Sequence, residues 1–115
     1  MKENLLIDKS IAFAARIVKL HQHLVKNKKE TVISKQIVRS GTSIGANIRE
    51  AFYAHGKADF VAKLQIALKE CAESEYWIEL LIESGYYNDK ELLNKCVEVK
   101  RILIASINTT KEDNK

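Results

Sequence analysis

Apolar residues recur every three or four positions along this chain, the period of an α-helix. Ile7, Ile11, Ala14, Val18 and Val25 form one stripe and predict a first helix over residues 5–25, with this stripe as its core face. Leu6, Phe13, Ile17, Leu20 and Leu24 form a second stripe, a wider apolar arc than one core needs. The second stripe is therefore expected to meet another subunit. After the loop NKKE, Thr31 is the expected N-cap of a second helix over residues 31–54. A third follows over residues 58–84, closed by Gly85, with Phe60, Leu64, Ala67, Cys71, Ile78 and Ile82 inward. On it Ile66, Trp77 and Leu80 point elsewhere, so Phe13, Ile17, Leu20 and Trp77 are the expected oligomer interface. Asn88 to Glu91 has capping-box spacing and opens a fourth helix over residues 89–109, with Leu92, Cys96, Val99, Leu103 and Ile107 inward. Lys111 to Lys115 reads as a polar tail. Four amphipathic helices on short loops predict an all-α, antiparallel up-down-up-down bundle, one domain over residues 1–115.

The second helix carries the most organised stretch, RSGTSIGANIREAF from Arg39 to Phe52. Ile33, Ile37, Ile44, Ile48 and Ala51 share one side, and Arg39, Ser43, Asn47 and Glu50 form a narrow polar stripe on the other. Such a stripe suits a polar partner, although a solvated helix face has the same composition. Between the two lie Ser40, Gly41, Gly45 and Ala46. Each internal glycine costs about 1 kcal/mol relative to alanine, so keeping two implies a close neighbour. A hairpin turning near Lys57 sets Arg39 opposite Glu75 and Ser43 near Cys71. Arg39 and Glu75 are expected to form a partly buried ion pair, which makes Arg39 structural.

Charge adds a candidate partner. The net charge is +4 with a pI near 9.1, positive over residues 1–56 and negative over 57–84. Lys9, Arg16, Lys19 and Lys26 share a side of the first helix, and with Arg49 they are the candidate nucleic-acid contacts. Binding to RNA or DNA through them would follow the phosphate backbone and weaken with salt, because no aromatic platform accompanies the lysines. A solvated basic face is the competing reading. The longest apolar run, Ile11 to Ala15, is too short for a bilayer, and no signal peptide is visible. Two cysteines without metal spacing fit reduced thiols in the cytoplasm.

No catalytic, metal or cofactor constellation emerges. His21 and His23 point to nearly opposite sides of a helix, and His55 has no ligand partner nearby. Cys71 is expected opposite Ile102, about 9 Å along the axis from Cys96, so no disulfide is expected. Arg49 and His55 have the Arg–His spacing of some helical-bundle ribonucleases, but so do Arg16 and His21. Such chemistry is expected to require a dimer seam at His55.

The run from Ile37 to Tyr87 resembles the 23S rRNA intervening-sequence proteins, a four-helix-bundle family. Arg39, Ser43, Ile44, Asn47, Ile48 and Glu50 match its R-x-x-x-S-I-P-x-N-I-x-E-G segment. Phe60, Leu64, Ile66, Ala67, Glu73 and Glu75 match its F-x-x-x-L-x-I-A-x-G-S-x-x-E-x-E pattern, and Gly85-Tyr86 its closing turn. Gly45 stands in place of the usual proline, Ala51 of glycine, and Lys69-Glu70 of Gly-Ser. The resemblance implies a ring-shaped homo-oligomer, often a pentamer, with no enzymatic activity. A relative, the accessory protein of diversity-generating retroelements, binds nucleic acid and a reverse transcriptase, so a protein partner is also implied. The expected function is a self-associating, non-enzymatic nucleic-acid or ribonucleoprotein accessory module. The alternatives are a purely structural interaction protein, or a ribonuclease-like toxin–antitoxin component using Arg49 and His55.

Overall fold

The computed structural model describes the backbone of residues 2–112 and the side chains of residues 5–112. It has four helices: α1 (Lys2–Asn27), α2 (Val32–Ala51), α3 (Lys57–Glu83) and α4 (Lys90–Glu112). Each packs against its neighbours in the cyclic order α1, α2, α3, α4, giving a rod of 50 × 21 × 20 Å. The four-helix bundle is as the pattern predicts. Of the expected polar tail, Lys111 and Glu112 end α4, and residues 113–115 lie outside the described residues.

The caps differ in detail from the sequence reading. Thr31 makes no side-chain cap. Instead the carboxylate of Glu30 accepts the N–H groups of Val32, Ile33 and Ser34 at 3.1, 3.0 and 2.7 Å, satisfying donors a helix start leaves open. Asp89, rather than Asn88, accepts the Glu91 N–H at the start of α4. Gly85 closes α3 as expected, with φ of +84° and N–H bonds from Gly85 to Ile82 and from Tyr86 to Leu81.

The core corrects the reading of α1. Leu6, Phe13, Ile17, Leu20 and Leu24 are buried within the chain itself, while Ile11, Val18 and Val25 are exposed. The two stripes have the same period, so periodicity does not rank them. The larger side chains of the inner stripe remove more apolar area from water. The inward residues of α4 are all buried, and α3 adds Ser74 and Leu81 to its expected set.

Two register expectations also change. Ser40 and Ser74, one step along from Arg39 and Glu75, meet at 2.8 Å, so α2 and α3 pair at the expected level. Yet Glu75 turns to α4 and accepts Lys100 Nζ at 2.7 Å, leaving Arg39 to Glu70 and Glu73. Cys71 faces Cys96, not Ile102, with the sulfurs 3.7 Å apart. The connection after α3 folds back, both Tyr86 and Tyr87 donating to Leu81 O. That return starts α4 deeper along the bundle than a midpoint turn would.

Candidate functional site

The polar stripe of α2 is consumed within the chain. Arg39, half exposed, donates to Glu70 Oε1 at 3.3 Å and to Glu73 Oε2, and Glu73 also accepts the Trp77 indole N–H at 3.0 Å. Ser43 Oγ donates to Arg39 O at 2.7 Å and Asn47 Nδ2 to Ser43 O at 2.9 Å. Glu50 pairs with Lys63 at 3.2 Å. Arg39 and Glu50 bridge to α3, and Ser43 and Asn47 bond back to their own helix. Trp77 is partly buried against the core, with its indole N–H held by Glu73.

The candidate phosphate contacts divide into two groups. Lys9 pairs with Glu98 at 3.2 Å, and Arg16 reaches Glu91 at 2.8 Å and Asp89 at 3.1 Å, so both close the α1–α4 seam. Lys19, Lys26 and Arg49 are exposed and have no carboxylate within ion-pair distance among the described residues. Lys28, Lys29 and Lys35 are exposed and unpaired in the same sense, and sequence reading passed over them. The α1–α2 connection carries these lysines to the end of the bundle where Lys19 and Lys26 also lie. The run KNKK was the available signal.

A second surface follows from the reversed core of α1. Ile11 is 57% exposed, and Val18 and Val25 continue its line at seven-residue intervals. Beside it a groove of about 270 Å³ runs between α1 and α2, lined by Ser10, Ile11, Ala14, Thr42, Gly45, Ala46 and Arg49. Phe13, Ile17 and Leu20 lie behind this surface in the core and cannot form an interface while the chain is folded.

Arg49 and His55 line one cleft of about 310 Å³ at the α2–α3 turn, together with Glu50, Tyr53, Asp59 and Lys63. A single chain therefore places both residues on the lining of one shallow cleft. His21 is engaged otherwise, hydrogen-bonded through Nδ1 to Ser34 Oγ across α1 and α2. Among the described residues no group of three or more His, Cys, Asp or Glu side chains could hold a metal ion. No described helix is long and apolar enough to cross a membrane.

The sequence model of the 23S rRNA-intervening sequence protein family matches residues 2–105. The chain belongs to that family. Among solved structures it is similar to a protein of unknown function from the S23 ribosomal protein family of Bacteroides thetaiotaomicron. The two are 53% identical over 94% of this chain and 99% of that one, with a TM-score of 0.91. No curated protein matches the sequence. In this chain Arg39 binds Glu73, while Ser43 and Asn47 bond back to the α2 backbone.

Proposed function

We propose that this 23S rRNA-intervening sequence protein is a non-enzymatic, self-associating accessory module that binds RNA through its phosphate backbone in the cytoplasm. The observation that carries the RNA reading is the basic α1–α2 side of one end of the bundle, where Lys19, Lys26, Lys28, Lys29 and Lys35 are exposed without carboxylate partners among the described residues. Cations already neutralised by a carboxylate, such as Lys9 and Arg16, release fewer counterions on meeting a phosphate. The family's name associates it with 23S rRNA and supports the choice of RNA. Changing Lys19, Lys26, Lys28 and Lys29 together to Glu should abolish low-salt RNA binding in a filter assay, while Lys9→Glu has little effect. Equal loss from both variants, or none from the fourfold change, would overturn the assignment.

Self-association is assigned to the α1 face of Ile11, Val18 and Val25, with a second copy of the chain as the partner. Light scattering should give a mass above one chain, and Ile11→Glu with Val18→Glu should give a folded monomer. A one-chain mass for the unmutated protein refutes it. The shared cleft of Arg49 and His55 supports a ribonuclease as the second reading. RNA cleavage lost in His55→Ala would favour it over the accessory role.

A further inference from the structure

Cys71 on α3 and Cys96 on α4 are both free thiols with no solvent-exposed surface, and their sulfurs lie 3.7 Å apart. Each sulfur also touches the opposite backbone. Cys71 Sγ is 3.4 Å from Cys96 O, and Cys96 Sγ is 3.5 Å from Cys71 O. The two helices therefore pass closely at this point. A disulfide needs the sulfurs at about 2.05 Å, leaving roughly 1.7 Å to close, a distance that side-chain torsions span. Glu75 lies one turn beyond Cys71, and Lys100 one turn beyond Cys96. Because the helices run antiparallel, the two residues flank the thiols on opposite sides along the axis. Their 2.7 Å ion pair spans the thiols, and its side chains remain 22% and 30% exposed.

We propose that Cys71 and Cys96 are a reversible oxidation site, closed to a disulfide between α3 and α4 by a hydroperoxide such as hydrogen peroxide. The Cys96 S–H donates to Cys71 and pulls the Cys71 thiol below its ordinary range, while the same bond and burial hold the proton on Cys96. Cys71 is accordingly the nucleophile. Its thiolate attacks one peroxide oxygen; the S–O bond forms, the O–O bond breaks, and the departing hydroxide takes the Cys71 proton as water. The Cys96 sulfur then attacks Cys71 Sγ; the S–S bond forms, the S–O bond breaks, and the second hydroxide leaves with the Cys96 proton. Two thiols lose two electrons and the peroxide gains them, and excess external thiol reverses the bond by exchange. Opening of the Glu75–Lys100 pair admits the oxidant, so this pair sets the rate.

The test treats the reduced protein with hydrogen peroxide and follows intact mass and maleimide labelling in denaturant. The expected result is a loss of about 2 Da, protection of both thiols, a Cys71–Cys96 linked peptide, and full reversal by dithiothreitol. Cys71→Ser should abolish the mass loss, and Glu75→Ala, which breaks the ion pair and keeps the Lys100 charge, should speed oxidation of the pair several-fold. Two labelled thiols after peroxide treatment, or disulfides only between chains, overturn the proposal. An unchanged rate in Glu75→Ala overturns the gate. The mass readout on the unmutated chain decides the pair even where a variant folds poorly.

Discussion

Arg39 and Trp77 share one acceptor: both donate to Glu73 Oε2, so a single carboxylate ties α2 to the outer flank of α3. The three side chains close a seam whose inner wall is the buried Ser40–Ser74 hydrogen bond. Arg39 is 49% exposed, which places its ion pair among the weakly stabilising surface kind. Arg39→Ala should therefore cost under about 1 kcal/mol in urea unfolding. Glu73→Ala should cost more, about 1–2 kcal/mol, because it also leaves the indole N–H without its acceptor. A larger loss from Arg39→Ala than from Glu73→Ala would contradict this arrangement.

The inner and outer stripes of α1 differ in the same experiment. Ile17 is fully buried, and truncation to alanine opens a cavity that should cost about 2–5 kcal/mol. Val18, its neighbour in sequence, is 40% exposed, and Val18→Ala should change stability by under about 0.5 kcal/mol when measured on the monomeric form. Comparable losses at the two positions would mean that α1 is rotated.

Helical period, loop positions and the inward faces of α3 and α4 were legible because each of those helices has one dominant apolar stripe. α1 was misread because it has two stripes of equal period, and only the bulk of Phe13, Leu20 and Leu24 separates them. The close contact implied by the α2 glycines was legible, but its partner, Ile17, was not. The pairing level of α2 and α3 was right, but the flank was not, since counting residues fixes height and leaves open whether Glu73 or Glu75 meets α2. The Cys71–Cys96 contact was hidden by the connection at residues 84–89, whose return along α3 no residue count contains. The split of the basic residues into paired and unpaired sets depends on α4 carboxylates far away in sequence.

Alkaline pH should weaken the fold. Burial, then the charge of Asp89 and its hydrogen bond, hold the Tyr87 phenol above its ordinary value of 10.0. The hydrogen bond to Glu75 holds Lys100 above its ordinary 10.5. In both cases the folded chain keeps a proton that the unfolded chain loses first. Their contribution is thus fully present below about pH 10 and is lost as pH rises through the folded values. Unfolding free energy should fall as the pH rises above about 10, and the fall should be shallower in Tyr87→Phe and Lys100→Met. An equally steep fall in both variants would assign the alkaline loss to other groups.

The two glycines of α2 give opposite expectations for one substitution. Replacing an interior helical glycine by alanine gains about 1 kcal/mol from backbone propensity when space permits. At Gly45 an added Cβ would lie 3.4 Å from Ser10 Oγ, an ordinary contact, so Gly45→Ala should stabilise by up to about 1 kcal/mol. At Gly41 it would lie 2.8 and 2.9 Å from Cγ2 and Cγ1 of Ile17. Ile17 is a buried β-branched side chain with no free rotamer to retreat into. The overpacking costs about 1–3 kcal/mol and outweighs the propensity gain, so Gly41→Ala should be net destabilising. Pairing it with Ile17→Ala, which removes both of the clashing γ carbons, should cost less than the two single losses added together. Thermal unfolding of the four variants reads both effects, and stabilisation by Gly41→Ala would show that α1 and α2 lie further apart than the contact with Ile17 requires.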